Sequence, residues 1–170
     1  MTTARHAKPA EVASLTLEEI AQKYVARFRD RKADWAAFED AKLEGYKSAQ
    51  HRFIGAGGSG KHGDAAAIPP RAFTLSIMYV EPGQGNAAHT HEVEEVFFIL
   101  RGKVKLVLEK DGERFETILT DRDVVSVPPG VYREEINIGD EDALMCVMLG
   151  AKKPVTPTYP ADHPLAKIKR

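Results

Sequence analysis

His89, His91 and Glu95 place two imidazoles and a carboxylate within seven residues, a donor set suited to a divalent transition-metal ion. The two histidines are separated by a single residue, so on a strand both rings leave the same face. Glu95 shares that parity, yet on an unbroken strand it would lie about 20 Å beyond His89. Ligands that share an ion sit about 2.1 Å from it, so all three can bind only if the chain folds back between His91 and Glu95. A tight turn is therefore expected at Glu92 to Glu94. Beyond it Glu95, Phe97 and Ile99 share one face of the next strand, which Gly102 closes.

The elements that must position these residues change character along the chain. Residues 1–50 read as an N-terminal helical extension. Thr16 and Glu19 have capping-box spacing, and Leu17, Ile20, Ala21, Tyr24 and Phe28 follow one helical face. A second helix is expected to start near Asp34, bury Trp35 and Phe38, and stop by Gly45. Residues 51–72 read as a glycine-rich loop and linker. From Phe73 the period becomes two: Phe73, Leu75, Ile77 and Tyr79 alternate with Thr74, Ser76 and Met78, and Val104, Leu106 and Leu108 alternate up to Asp111-Gly112, a hairpin signal. Phe115, Thr117 and Leu119 return from it. Pro128-Pro129-Gly130 turns the chain again before strands at Arg133 to Asn137 and Ala143 to Leu149. Short strands with regular turns predict a β-barrel or sandwich over residues 73–150. Residues 151–170 carry Pro154, Pro157, Pro160 and Pro164 and read as an extended arm without regular structure.

The spacing of the donors also resembles a known family. Gly83, five residues, His89-x-His91, three residues, Glu95, six residues and Gly102 reproduce the first signature of the cupins. The stretch Asp121 to Asn137 is similar to the second, with Pro128, Gly130 and Asn137 at the family's Pro, Gly and Asn positions. Two positions depart. Arg122 replaces the opening glycine, where neighbouring aspartates can make the turn. Arg133 stands where the family supplies its third histidine, and a guanidinium, which has only donors, cannot coordinate a cation. The resemblance implies an all-β cupin double-stranded β-helix, a jelly-roll barrel, and a homodimer with Tyr24, Phe28, Trp35 and the proline arm as candidate contacts.

If the motif directs Arg133 and Asn137 inward, alternation brings Glu135 inward with them. Such a polar interior is costly unless its charges are paired or bind something. Three arrangements are open. In the first, His89, His91 and Glu95 form a facial triad for a divalent ion, iron foremost and manganese, nickel or zinc in second place, with Arg133 and Glu135 as catalytic groups and Arg133 on a substrate carboxylate or enolate oxygen. Glu135 replaces the missing histidine as fourth ligand in the second. In the third, Arg133 pairs with Glu95 or Glu135, no metal binds, and the pocket recognises an anionic small molecule without catalysis. The first two imply a dioxygenase, isomerase or decarboxylase on a small, carboxylate-bearing molecule; the third implies a binding or sensing module.

Other features bound the function. The formal net charge is −1 and no Lys/Arg-rich run occurs, which argues against nucleic acid as partner. The N-terminal stretch lacks an apolar signal-peptide core and no segment has the apolar length of a membrane span, so no membrane partner and a cytoplasmic location are expected. Cys146 is the single cysteine and, amid Leu144, Met145, Val147 and Met148, reads as a small core residue. Gly55 to Lys61 imitates a phosphate-binding loop, but His62 replaces the required Ser or Thr and GDAAAIPP cannot continue as a helix, so the segment reads as a glycine loop. His51, Arg52, Lys61 and His62 flank it and read as solvated unless the loop folds over the barrel mouth.

Overall fold

The computed structural model describes residues 6–59 and 66–167. Among these described residues eight strands form two antiparallel sheets. β1 (Ser48–Ile54), β2 (Thr74–Val80), β8 (Ala143–Leu149), β3 (Glu95–Arg101) and β6 (Val124–Val127) make the larger, in the order β1-β2-β8-β3-β6. β5 (Glu113–Leu119), β4 (Val104–Lys110) and β7 (Tyr132–Asn137) make the smaller, in the order β5-β4-β7. Asp111 and Gly112 both take positive φ, 53° and 84°, the conformation a two-residue hairpin between β4 and β5 requires. The strands β1 and β6 lacked a clear alternation and had not been expected; β1 runs through the boundary placed at residue 50.

The barrel interior is divided into an apolar end and a polar end. Met78, Val80, Phe97, Ile99, Val104, Ala143, Met145 and Val147 pack as one buried cluster. Toward the other end the inward positions are Thr74, Ser76, Glu95, Arg133 and Glu135, all buried. In β2 the alternation is present, but its inward set is Thr74, Ser76, Met78 and Val80, while Leu75, Ile77 and Tyr79 face outward and are half-buried. Tyr79 gains its cover from Trp35, packed edge-on at 5.5 Å.

The N-terminal helical part is short. α1 (Ala10–Ala13) and α2 (Leu17–Tyr24) are its only α-helices among the described residues, and Thr16 and Glu19 close the expected capping box on α2. Phe28 lies beyond the helix, its ring tilted against that of His51 with centroids 4.9 Å apart. The second helix expected near Asp34 does not form. The Asp34 carboxylate accepts the Ala36 N–H at 3.0 Å and its backbone bridges Gln50 in β1, so the local side-chain bond and the sheet edge outcompete the helix, leaving only a 3₁₀ turn at Asp40–Lys42. Trp35 is correspondingly 40% exposed rather than buried.

The proline arm folds back onto its own barrel. Thr158 bridges Thr90, a 3₁₀ turn forms at Pro164–Lys167, and Tyr159 and Leu165 are buried against Ala87. Cys146 is half-buried on the outer face of β8, paired in register with Ile77 and Phe98, rather than in the core, and burial raises its thiol pKa. No helix among the described residues is long and apolar enough to cross a membrane.

The glycine and its replacement in the two signature motifs have distinct geometry. Gly102 takes φ 113°, and a Cβ there would lie 2.9 Å from Ala143, so no other residue fits the turn out of β3. Arg122 adopts φ 74° itself, while Asp121 accepts the Gly102 N–H at 2.8 Å and Asp123 accepts the Thr120 N–H at 2.7 Å. The aspartates hold the turn, but the arginine still carries the left-handed conformation. Arg122→Gly is therefore expected to stabilise the fold by about 0.5–1 kcal/mol, read as a rise of about 1–3 °C in thermal midpoint.

Candidate metal centre and cavity

The segment after β2 runs beside β7 and brings the histidines in. Gly85 bridges Ile136 and His89 bridges Arg133, with His89 N–H to Arg133 O at 3.0 Å and the reverse bond at 2.9 Å. The backbone bends at Glu92 and Val93, where the turn was expected, and β3 then opens with Glu95. The fold-back brings one donor atom each of His89, His91 and Glu95 within 4.8 Å of one another. Nε2 of His91 lies 3.7 Å from Glu95 Oε1, and Nε2 of His89 lies 4.0 Å from Glu95 Oε2. The imidazole planes are nearly perpendicular, at 89°, with ring centroids 5.4 Å apart.

The donor set fits a divalent ion. Ala87 O lies 2.7 Å from His89 Nδ1, so the neutral ring donates there and turns the lone pair of Nε2 toward Glu95. Burial, aided by the charge of Arg133 and by His91, holds the His89 pKa well below its ordinary value, which keeps the ring neutral and able to ligate. Two nitrogens and a carboxylate suit iron, manganese, nickel or zinc.

Arg133 reaches the same cluster from behind. It is 1% exposed, its Nη2 lies against Glu95 Oε2 as an ion pair, and its Nη1 donates to His89 O at 2.9 Å. The guanidinium carbon sits 5.9 Å from the centre of the Phe97 ring. Burial lowers its pKa to about 10, so the group stays cationic at neutral pH. Glu135 is inward but outside the triad: its Oε2 accepts from Asn86 Nδ2 at 3.2 Å. Burial, only partly offset by Arg133 and Asn86, pushes its pKa up to about 7.

A cavity of about 30 Å³ opens beside the triad, room for about two waters. Its wall includes His89, His91, Glu95, Asn86, Gln50 and Tyr159, and neither Arg133 nor Glu135 belongs to it. The Tyr159 ring lies 6.1 Å from that of His89, so the C-terminal arm closes one side. Gly57 and Gly58 close another, and a Cβ on Gly58 would lie 3.5 Å from the His91 ring. The described part of the glycine loop, through Gly57 and Gly58, thus lies against the cavity. Its flanking polar residues turn elsewhere: Arg52 pairs with Asp34 at 2.9 Å and the His51 ring packs against Phe28, while Lys61 and His62 lie outside the described residues.

Sequence reasoning did not anticipate Gln50, Thr74, Ser76, Asn86 or Tyr159 in this wall. The available signal was polar residues at one parity of a strand whose other parity is apolar, visible in β2 as Thr74 and Ser76.

Comparison with known proteins agrees with this architecture. Residues 76–149 match the Cupin domain family. An acireductone dioxygenase from Acidiphilium cryptum (strain JF-5) is 31% identical over 88 residues, covering 51% of this chain and 46% of that protein, so the chain spans about half the length of the curated relative it matches. Among solved structures, a recombinant oxalate oxidase in complex with glycolate superposes with a TM-score of 0.60 at 16% identity, covering 89% of this chain and 68% of that one. The oxalate decarboxylase of Lactobacillus farciminis, in a formate complex, superposes with a TM-score of 0.57 at 17% identity, covering 77% and 34%. At such identities the likeness speaks for the fold. The chain has the mostly-β cupin fold, and its residues 76–149 are a cupin domain.

Proposed function

We propose that this protein is a metal-dependent cupin enzyme acting on a small oxygenated, carboxylate-bearing molecule, with chemistry of the dioxygenase, isomerase or decarboxylase type. The observation that carries the reading is the buried cluster of His89, His91 and Glu95 at the wall of a cavity, with the His89 tautomer already fixed for ligation. The similarity to an acireductone dioxygenase supports the same class. Iron is the leading ion, with manganese, nickel or zinc as alternatives. A bound ion supplies Lewis-acid polarisation of a substrate oxygen and, if redox-active, electron transfer.

The chain's own residues orient and exclude. Arg133 neutralises Glu95 and fixes its carboxylate, acting as a positioning residue rather than a substrate contact, since it stands outside the cavity wall. Glu135 anchors Asn86, which presents its side chain to the cavity. Tyr159 and Gly58 limit solvent access from two sides.

A second reading has one observation in its favour: the Arg133–Glu95 pair neutralises the carboxylate without an ion, as a metal-free binding module requires. Metal content separates the two. Protein purified without chelator or metal-affinity resin is expected to hold about one transition-metal ion per chain, and His89→Ala is expected to lose it. Absence of metal in the parent, with none taken up on reconstitution, would sink the enzyme reading. The homodimer is likewise a proposal, tested by the mass in solution; Phe28 and Trp35 stay 53% and 40% exposed for it.

A further inference from the structure

On the same sheet as Glu95, toward its β1 edge, the cavity presents a second set of polar groups that nothing in the metal centre uses. Gln50 and Thr74 are each 1% exposed, line the cavity, and leave Gln50 Oε1 and Thr74 Oγ1 without a hydrogen-bond partner among the described residues. A buried, unpaired polar oxygen is costly, and two on one wall call for an occupant. The Gln50 amide orientation is fixed: its Nε2 donates to Ala56 O at 3.2 Å and to Ser76 Oγ at 3.3 Å, so a flip would set Oε1 against a carbonyl. Oε1 is therefore an acceptor waiting for a donor. Because Ser76 Oγ already receives the Gln50 N–H, its own proton is directed elsewhere, and Ser76 also lines the cavity.

The sheet sets the span between this wall and the triad. Thr74 pairs with Leu149, and Leu149 with Glu95, so Thr74 and Glu95 lie on one row two strands apart, about 10 Å between backbones. Both side chains point inward, so an occupant that bridges them is limited to a few heavy atoms. The wall is uncharged, which favours an alcohol over an ammonium group. Of the carboxylates lining the cavity, Glu95 is paired with Arg133, and Asp40 accepts the Ala87 N–H at 2.9 Å. The backbone reaches the amide closely because Gly57, at φ 62°, has no Cβ, which would lie 3.0 Å from Gln50 Nε2.

We propose that Gln50, Thr74 and Ser76 are the specificity-determining wall of the site and select a small hydroxy acid, its hydroxyl donating to Gln50 Oε1 and its carboxylate directed toward the His89, His91 and Glu95 centre. The placement of the carboxylate rests on the metal reading above; the hydroxyl contact does not. The test is calorimetric titration of the manganese-reconstituted protein with glycolate and with acetate, which carries the same carboxylate but no hydroxyl. Metal content is measured on each sample.

Wild type is expected to bind glycolate about tenfold more tightly than acetate, because acetate leaves the acceptor buried and unpaired. In Gln50→Leu that preference is expected to fall within about threefold while the metal content stays unchanged. If Gln50→Leu loses its thermal transition, Thr74→Val, of nearly the same shape, decides the same question. Equal or undetectable binding of the two acids by the wild type, or a preference that survives the substitution, overturns the proposal. A preference that depends on Gln50 in a protein that takes up no metal would uphold the wall and reject the metal reading. Loss of both would reject the two together.

Discussion

Arg133→Met is expected to lower the stability of the metal-free protein by about 3–5 kcal/mol. The guanidinium is among the most deeply buried large side chains, and it is the ion-pair partner of Glu95, whose own side chain is 5% exposed. Methionine replaces most of the volume beside Phe97 but leaves the Glu95 carboxylate buried without its guanidinium partner, and it removes one of the two donors to the His89 carbonyl, the backbone N–H of residue 133 remaining. An uncompensated buried charge is the expensive outcome, more so than loss of the pair as a whole. Adding Glu95→Gln to Arg133→Met should therefore restore a large part of the loss. Urea denaturation of the four proteins of the cycle measures this coupling directly. If the cation site is real, saturating metal should shrink the Arg133→Met deficit, because the ion then neutralises Glu95, but should give the Glu95→Gln proteins much less. A deficit under about 1 kcal/mol, or one indifferent to metal, would show that Arg133 does not hold the carboxylate.

The same residue shows where the sequence was legible and where it was not. Identical parity of His89 and His91, with Glu95 brought back by a turn, was enough to place the donors, because strand geometry and coordination distance leave one solution. The motif directed Arg133 inward and alternation sent Glu135 with it, as β7 has them. What parity could not tell was which inward group reaches the cavity: Arg133 spends its donors on Glu95 and the His89 carbonyl, and so stands behind the ligands. The apolar parity of β2 is its outer face for a related reason. The barrel's inner face is polar at the site end, and Trp35 offers Tyr79 an apolar cover outside. The lost helix at Asp34 and the capture of Thr158 by Thr90 both depend on sheet edges that local sequence does not reveal.

The second large effect concerns Glu135 and pH. Its native pKa is about 7 because burial disfavours the carboxylate, whereas the ordinary value is 4.5. Between those limits the folded protein holds a proton that the unfolded chain has released, so this group's contribution makes stability fall as pH rises, by about 3 kcal/mol in all. His89 works in the opposite direction: its depressed native pKa costs stability as pH drops below the ordinary histidine value, since the unfolded chain then binds the proton and the folded one does not. The two partly cancel in the wild type, so its own pH profile hides both. Glu135→Gln separates them, because the amide keeps an oxygen for Asn86 Nδ2 and has no proton to lose. In metal-stripped protein the variant is expected to match wild type near pH 4.5 and to exceed it by up to about 3 kcal/mol at pH 8, with most of the gain developing below pH 7. Urea unfolding across that range gives the difference curve. Since Arg133, Glu134 and Asp40 face the position in both proteins, a flat difference would mean that the Glu135 carboxylate ionises without penalty, and that the polar end of the barrel is better solvated than its burial implies.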